Sequence, residues 1–317
     1  MNILIFGKDG QLGKAFSALL RRSSISANAK ITYLGRAECD LSKEANLLAQ
    51  LNAVKPNLII NASAYTAVDK AETEVDLAFA VNAKAPEIMA RYAAENDATF
   101  LHYSTDYVFD GNKDGFYIEN DARNPLGIYG KSKAAGEEAV EKAFANSATG
   151  QFAIFRTSWV YGDGGNFIRT ILRLAKEREE LKVIHDQHGV PTSAEWLARV
   201  SLDLVLDPQG ALKQFPSGTY HAVPAGETTW HGLASFAIQV ALNAGIELKA
   251  GPSAIKPILA VEYPLPAPRP MNSRMDCSKL RKALENKRSM SKLASFDAPW
   301  SIAVQDYIQA LAKDGLI

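Results

Sequence analysis

The chain has 317 residues, of which 47% are hydrophobic and 22% are charged, so it contains enough apolar side chains for a full-sized core. Lysine plus arginine and aspartate plus glutamate both total 35, and this balance leaves no net charge that would attract nucleic acid or a membrane surface. The two cysteines, Cys39 and Cys277, lack CxxC spacing, and no apolar run approaches the roughly 20 residues of a membrane span. We therefore expect a cytoplasmic protein without disulfides and without a nucleic-acid or membrane partner.

The first half of the chain alternates short apolar runs with amphipathic segments of helix length. The runs that we predict as strands lie at residues 1–6, 29–34, 57–61, 99–104 and 152–157. The segments that we predict as helices lie at residues 11–22, 43–54, 76–96 and 129–145. Because the strands are apolar throughout, we expect them to be buried on both faces of a parallel sheet that helices cover.

The pattern changes after Ser158. Strand-like runs at 181–184 and 219–223 are interspersed with predicted helices at 193–206, 228–244 and 299–313. Prolines at alternate positions from Pro264 to Pro270 forbid regular helix and favour an extended segment. The sequence thus predicts the α/β class. Residues 1–158 would form a Rossmann-type, doubly wound parallel sheet to which some later segments return, and residues 159–317 a smaller α/β substrate-binding region.

A glycine-rich loop follows the first predicted strand and opens the first predicted helix. Gly7, Gly10 and Gly13 have GxxGxxG spacing. Small residues are needed in such a loop because the backbone turns sharply, approaches a pyrophosphate and then packs a helix on the sheet. The helix N-terminus offers free N–H groups and partial positive charge to phosphates. The loop therefore predicts a dinucleotide site, although three glycines also occur in ordinary turns.

The end of the second predicted strand indicates which dinucleotide binds. An acidic side chain there would accept hydrogen bonds from both ribose hydroxyls and favour NAD. The strand ends instead at Gly35 and Arg36, and a guanidinium pairs well with a 2′-phosphate. We therefore predict NADPH, with NADH as the alternative and a solvated surface arginine as the competing interpretation. Asp40 is expected at the adenine edge.

Three polar residues suggest carbonyl reduction. Tyr129 and Lys133 form a YxxxK element at the start of a predicted helix, where residues four apart share a face. When a hydride reaches a carbonyl carbon, the oxygen needs a proton that Tyr129 can give, and the Lys133 cation then stabilises the phenolate. Lys133 also has the reach to hydrogen-bond the nicotinamide ribose. Thr105 follows the fourth predicted strand, at the edge where open α/β sheets bind ligands, and we expect it to hold the substrate carbonyl.

Longer stretches around these residues resemble the extended short-chain dehydrogenase/reductase superfamily and, within it, the dTDP-4-dehydrorhamnose reductase family. The stretches typical of that family are a GQLG turn, N-A-(A/S)-A-(Y/H)-T-x-V-D-x-A-E, S-T-D-Y-V-F, Y-G-x-(S/T)-K, F-R-T-S-W-V-Y and R-P-x-N-S. In this sequence they lie at residues 10–13, 61–72, 104–109, 129–133, 155–161 and 269–273. The likeness runs from residue 1 to beyond residue 300.

The resemblance implies roles for the residues at the matching positions. The residues implied to lie against the cofactor are Gly10, Gln11, Leu12, Ala62, Ser63, Ala64 and Tyr65, with Asp40 and Leu41 at the adenine. Thr105, Tyr129 and Lys133 are implied to be catalytic, and Thr105, Asp106 and Trp159 to contact substrate. Trp159 follows a predicted strand end, where an aromatic wall would hold a sugar, although its spacing equally allows a core tryptophan.

Two arginines and two histidines are further candidates for a role in the site. Arg269 and Arg274 flank the end of the proline-rich segment, and one of them is a candidate for pairing with the substrate diphosphate, with surface charge as the equal alternative. His185 and His188 have HxxH spacing, but no acid or cysteine set accompanies them, so we interpret them as loop residues.

Some relatives are described as using Mg²⁺ through glutamates at a dimer contact. Lys14 and Ala15 stand where such a glutamate would be expected after the GQLG turn. We therefore predict no bound metal and leave a homodimer as an open expectation.

The resemblance implies NADPH-dependent reduction of the C4 keto group of dTDP-4-dehydro-β-L-rhamnose to dTDP-L-rhamnose, a precursor of cell-surface polysaccharide. Alternatives are another nucleotide-sugar epimerase or reductase, such as one that forms the 6-deoxy-talose epimer, and a non-catalytic regulatory subunit of the kind found with methionine adenosyltransferase. The Thr105, Tyr129 and Lys133 set argues against a purely regulatory role.

Overall fold

The computed structural model describes residues 1–22, 29–285 and 296–317, in which strands and helices alternate as the sequence predicts. The strands are β1 (Asn2–Phe6), β2 (Lys30–Leu34), β3 (Leu58–Asn61), β4 (Thr99–Thr105), β5 (Gln151–Thr157), β6 (Val160–Tyr161), β7 (Leu181–Ile184), β8 (His188–Gly189), β9 (Thr192–Ser193), β10 (Gly218–His221), β11 (Thr228–Thr229) and β12 (Ile255–Ile258). The helices are α1 (Gln11–Arg21), α2 (Glu44–Val54), α3 (Val68–Ala71), α4 (Val75–Phe79), α5 (Ala85–Glu95), α6 (Ile128–Phe144), α7 (Phe167–Glu177), α8 (Ala194–Val205), α9 (Trp230–Asn243), α10 (Ser278–Glu285) and α11 (Trp300–Lys313).

The central sheet is parallel, which confirms the predicted fold class. Within the described residues it has six strands in the order β10-β5-β4-β3-β1-β2. Strand β1 pairs with β2 on one side and β3 on the other, so the chain reverses its direction of travel across the sheet at β1. In open α/β sheets the crevice at such a reversal, outside the carboxyl ends of the strands, is where ligands bind. The last strand, β10, returns from the second half of the chain to pair with β5.

Helices cover both faces of this sheet because successive strand side chains point in opposite directions. Ile3 and Ile5 pack with Phe16 of α1 and Leu197 of α8 on one face. On the other face, Leu4 and Phe6 pack with residues of α2 and α5, among them Leu47, Ile88 and Met89. Each of these side chains is at most 1% exposed, and burying one contributes about 1.5–3 kcal/mol. The two cores fix the carboxyl edge of the sheet as a rigid platform.

A separate core lies in the second half of the chain. Helices α7, α9 and α11 pack on β7 and β12 through buried side chains that include Ile171, Leu233 and Ile308. This core fits the expected smaller substrate-binding region. The boundary at residue 158 stays a prediction, since β10 and α8 belong to the first core although they come later in the chain.

The structure differs from the sequence prediction in several helices. The segment 76–96, predicted as one helix, is α4 and α5 joined by a π-helical segment (Ala80–Lys84). Helices α3, α7 and α10 were not predicted, although α7 carries a clear signal, an Asn166 cap followed by apolar residues such as Ile168, Ile171 and Leu172 at helical spacing. None of the helices in the described ranges is long and apolar enough to cross a bilayer.

Candidate active site

A cavity of about 820 Å³ opens at the carboxyl edge of the sheet, where β1, β3, β4 and β5 end. This volume is within the range of small-molecule and cofactor sites. The cavity is lined by nearly every site residue that the sequence predicts: Gly7, Gly10, Gln11, Leu12, Arg36, Asp40, Leu41, Ala62, Ser63, Ala64, Tyr65, Thr105, Asp106, Tyr129, Lys133 and Trp159. Gly13 and the two arginine candidates, Arg269 and Arg274, are not among the lining residues. The fold therefore brings residues from distant parts of the chain into one continuous pocket.

The glycine loop forms the floor of the pocket at the start of α1. Gly7 has φ +86°, and a Cβ there would lie 2.7 Å from the Ala62 carbonyl oxygen. A Cβ on Gly13 would lie 2.0 Å from the Gly7 carbonyl oxygen, so Gly13 lets α1 pack on the loop and does not itself face the pocket. Gly10 precedes α1 without a side-chain cap, which leaves the helix N–H groups available to an anion. This cradle fits a dinucleotide pyrophosphate.

The opposite end of the pocket carries charges of both signs. Arg36 is exposed and lines the pocket. No acid directly follows β2 in the sequence, but Glu38 folds back so that its carboxylate accepts a hydrogen bond from the Gly35 N–H at 2.8 Å and pairs with Lys8. The hydrogen bond from Lys8 holds the pKa of Glu38 below its usual value. Glu38 is thus engaged by a cation, whereas Arg36 remains directed to the pocket.

Asp40 is in part committed to its own turn. Its Oδ1 accepts hydrogen bonds from the Ser42 hydroxyl at 2.7 Å and the Ser42 N–H at 3.0 Å, and these bonds lower its pKa. The carboxylate therefore stays ionised and fixed in place beside Leu41 at the rim of the pocket. This position fits the adenine end of the expected cofactor.

Tyr129 stands at the centre of the polar wall. Burial raises the pKa of its phenol to about 12, while a hydrogen bond with Thr105 acts in the opposite direction. The ring packs edge-on against Tyr107, with 5.4 Å between ring centroids. The phenol is therefore protonated at neutral pH and faces the pocket, so it has a proton to give to a bound oxygen.

Lys133 lies one turn further along α6 and is 1% exposed. Its Nζ donates to the Tyr103 carbonyl oxygen at 2.5 Å and lies 3.4 Å from Nε2 of His102. Burial lowers its pKa to about 8. An ammonium with so low a pKa is readily influenced by its neighbours, and its position beside Tyr129 suits electrostatic control of the phenol.

Thr105 and Asp106 connect the end of β4 to the pocket. The Thr105 hydroxyl donates to Asp106 Oδ1 at 2.9 Å, and the Ser273 hydroxyl donates to the other carboxylate oxygen. Asp106 is 2% exposed, and burial raises its pKa from 3.8 to about 6. Burial thus destabilises the ionised form of this carboxyl group, and perturbed pKa values of this kind are common at functional sites.

Replacing Asp106 with asparagine should stabilise the protein at pH 8 and have little effect at pH 4. In the wild type, the folded state binds a proton more tightly than the unfolded state, so its stability falls as the pH rises from about 4 to about 6, by about 3 kcal/mol. Asparagine removes the buried charge and keeps an acceptor for Thr105. Urea unfolding of both proteins at the two pH values measures this difference, and equal gains at pH 4 and pH 8 would contradict it.

Two tryptophans form the aromatic wall of the pocket. Trp159 and Trp230 stack with 3.7 Å between ring centroids, and both line the cavity. Trp159 has φ +47°, a left-handed backbone conformation that is costly for a bulky residue. Strain of this kind persists where a side chain must be aimed at a ligand. Trp159 therefore lines the pocket and also packs on the core of the second half of the chain, and its contact with substrate stays a prediction.

Four residues at or behind the pocket were not singled out from the sequence. Trp230 and Tyr107 line the pocket, but no local pattern distinguishes them from core aromatics. The stretch at residues 62–65, which we name the cofactor loop, is held by Asn82 of the π-helical segment. The Asn82 amide accepts from the Tyr65 N–H at 2.8 Å and donates to the Tyr65 carbonyl oxygen at 3.0 Å. His102 was available as a signal, because it is a polar residue within a buried apolar strand.

The arginine and histidine candidates lie outside the cavity lining. Arg269 makes a two-pronged ion pair with Asp69 at 2.8 and 2.9 Å, and Arg274 lies 3.4 Å from Glu227. Arg269 is thus paired with Asp69 in this structure, and its pairing with a diphosphate stays a prediction. His185 follows β7, whereas His188, interpreted as a loop residue, lies in the short strand β8. Across residues 1–22, 29–285 and 296–317, no group of three or more acidic, histidine or cysteine side chains is arranged to hold a metal.

Comparisons with known proteins agree with this geometry. The family described as "RmlD substrate binding domain" matches residues 1–310 of the chain. A relative from Shigella flexneri, named dTDP-4-dehydrorhamnose reductase, is 43% identical over 286 residues, which cover 89% of this chain and 91% of the relative.

The similar solved structures also include dTDP-4-dehydrorhamnose reductases. A dTDP-4-dehydrorhamnose reductase from Clostridium acetobutylicum is similar with a TM-score of 0.83 and 33% identity, and the match covers 98% of this chain and 99% of that one. One from Bacillus anthracis, solved in complex with NADP, has a TM-score of 0.80 and 30% identity, covering 96% and 98%.

Proposed function

The chain belongs to the RmlD substrate binding domain family, and the relatives that it resembles are named dTDP-4-dehydrorhamnose reductases. We propose that this chain is also a dTDP-4-dehydrorhamnose reductase. It is an oxidoreductase that reduces the C4 keto group of dTDP-4-dehydro-β-L-rhamnose with NADPH and yields dTDP-L-rhamnose. The observation that carries the proposal is a single pocket in which a protonated phenol, a buried lysine and a glycine cradle meet. We propose that its substrate is a small nucleotide sugar and that it works in the cytoplasm.

Three polar residues of the pocket have separate roles in the proposed reaction. When bound, NADPH supplies the hydride that reduces the carbonyl carbon. Tyr129 gives its phenolic proton to the carbonyl oxygen, and Thr105 orients that oxygen once its hydroxyl turns from Asp106 to donate to the substrate. Lys133 stabilises the phenolate that remains and binds the nicotinamide ribose. Together these groups prevent an uncompensated negative charge from forming in a buried site.

The remaining lining residues would hold the two ligands. The Trp159 ring presents an apolar face to the hexose, and Asp106 accepts hydrogen bonds from its hydroxyls. At the other end, the N–H groups of the glycine loop and the α1 N-terminus bind the pyrophosphate of the cofactor. The residues Ala62 to Tyr65 would line the cofactor site, and Asn82 holds Tyr65 in place through two hydrogen bonds.

Arg36 is expected to distinguish NADPH from NADH. Arg36→Ala should raise the KM for NADPH about tenfold or more and leave the KM for NADH unchanged, because only NADPH carries the 2′-phosphate that the guanidinium pairs with. Steady-state kinetics with each cofactor measures both constants. Arg178→Ala, which removes an exposed arginine beyond α7, is the control. An equal rise for both cofactors would mean that Arg36 does not read the phosphate.

The direct test mixes the purified protein with dTDP-4-dehydro-β-L-rhamnose and follows the absorbance of NADPH or NADH. A reductase consumes one reduced cofactor per sugar, whereas an epimerase regenerates its cofactor and leaves the absorbance unchanged. NMR of the product distinguishes dTDP-L-rhamnose from the 6-deoxy-talose epimer. Tight binding of the nucleotide sugar without any turnover would favour a regulatory subunit. Light scattering tests the homodimer, which stays a prediction.

A further inference from the structure

A chain of buried polar groups connects the cofactor loop to Lys133. The Ser63 N–H donates to Asn61 Oδ1 at 3.2 Å, and Asn61 Nδ2 lies 3.1 Å from His102 Nδ1. On the far side of the ring, His102 Nε2 lies 3.4 Å from Lys133 Nζ. Asn61, His102 and Lys133 are each at most 1% exposed. Buried polar groups are costly unless they are paired, so this chain requires an explanation.

The strand register creates this chain. Asn61 and His102 are direct partners in the parallel ladder of β3 and β4, each at the point where an apolar run meets the pocket. The His102 ring stacks on Phe100, with 6.0 Å between ring centroids, and is held on the side of the sheet where α6 packs. The imidazole therefore has no freedom to turn away from Lys133.

The hydrogen bonds determine which ring nitrogen of His102 carries the proton. Burial and the Lys133 charge keep the pKa of His102 well below its usual value, so the imidazole is neutral. Because the Ser63 N–H occupies the oxygen of the Asn61 amide, the amide presents its NH₂ group to Nδ1. Nδ1 is then the acceptor, and the proton lies on Nε2, directed at Lys133.

We propose that His102, oriented by Asn61, is a positioning residue that opposes the positive charge of Lys133 and directs its amine into the pocket. An N–H dipole that points at Nζ disfavours the ammonium form. The proposal rests on the proposed function only where turnover is the readout.

Other groups that face Lys133 act differently. On its own helix, Glu137 raises the pKa of Lys133, and Glu137 is itself paired with Arg156 of β5 at 2.7 Å. The Tyr103 carbonyl oxygen of β4 accepts from Nζ and favours the ammonium. The neutral phenol of Tyr129 adds no charge. Among these neighbours, His102 is the one that presents a ring N–H to the amine.

The first test compares His102→Met and His102→Gln, which match in length and differ in polarity. Both lose the opposing N–H, so the alkaline fall in kcat, which follows loss of the Lys133 proton, should move upward by about one pH unit. Both also lose the N–H that directs Nζ into the pocket, so both should lower the plateau kcat about tenfold, and Gln, whose amide oxygen attracts Nζ, should not restore it. His221→Met is the matched control, because His221 is equally buried in a parallel strand but lies outside the cavity lining in the described residues. An unmoved alkaline limit in both His102 variants, or the same shift in His221→Met, overturns the proposal.

The second test needs no substrate and so separates this proposal from the proposed reaction. In ¹⁵N-histidine-labelled wild-type protein, the ring nitrogen shifts report the tautomer of each of the five histidines, and the His102→Gln spectrum assigns His102. We expect a neutral ring with its proton on Nε2. A charged ring, or a proton on Nδ1, contradicts the proposal even if the enzyme turns over dTDP-4-dehydro-β-L-rhamnose.

Discussion

Replacing Tyr129 with phenylalanine is expected to lower kcat by about 10²- to 10⁴-fold while the protein still binds NADPH. The phenol has a pKa raised to about 12 by burial, so it is fully protonated at neutral pH and is the proton donor beside Thr105. Phenylalanine keeps the ring and its edge-on packing against Tyr107, and removes only the proton and the hydrogen bond. Steady-state turnover of the keto sugar and fluorescence titration of NADPH measure the two effects separately.

The control for this variant is Tyr92→Phe, which removes a phenol from α5, outside the cavity lining in the described residues. Its turnover should equal that of the wild type. If Tyr129→Phe retained full turnover, the proton would come from another group, and the assignment of Tyr129 would fail. If NADPH binding were lost as well, the phenolic hydroxyl of Tyr129 would be needed to bind the cofactor.

The local parts of the site could be predicted from the sequence because short-range spacing determines them. Gly7 needs a positive φ where β1 ends, and Gly13 must lack a Cβ where α1 meets the loop, so both positions leave a mark in the sequence. Tyr129 and Lys133 share a helix face whatever the helix packs on. Apolar strands and the order of the elements were sufficient to predict the parallel sheet, which the structure and the similar solved structures confirm.

The parts that could not be predicted depend on contacts between distant residues. Asp69 and Arg269 form an ion pair across 200 positions of the chain, so sequence alone left Arg269 as a candidate for the substrate diphosphate. Glu38 reaches the end of β2 through a local turn that ordinary spacing does not reveal. Trp230 stacks on Trp159, and it directly follows β11, which pairs with β8; no sequence motif predicts this contact.

The helix that bears Tyr129 and Lys133 is held by a buried ion-pair network. Glu137 of α6, which is 0% exposed, accepts hydrogen bonds from Arg156 of β5 at 2.7 and 2.9 Å and also pairs with Arg123. Burial alone would raise the pKa of Glu137, but the two guanidinium groups hold it below its usual value. The carboxylate is therefore ionised, and the network is charged on both sides.

Glu137→Gln should lower the free energy of unfolding by about 3–5 kcal/mol, because it leaves the buried Arg156 guanidinium without its counter-charge. Glu177→Gln is the control, since Glu177 makes the same kind of contact with Arg173 at 3.0 Å on an exposed helix face, where a pair contributes about 0.3–0.5 kcal/mol. Urea unfolding at neutral pH measures both losses. Equal small losses would show that water reaches Arg156. A large loss only in Glu137→Gln would show that the buried charge network stabilises the packing of α6 on β5. Helix α6 carries Tyr129, so this packing also holds Tyr129 near the end of β4.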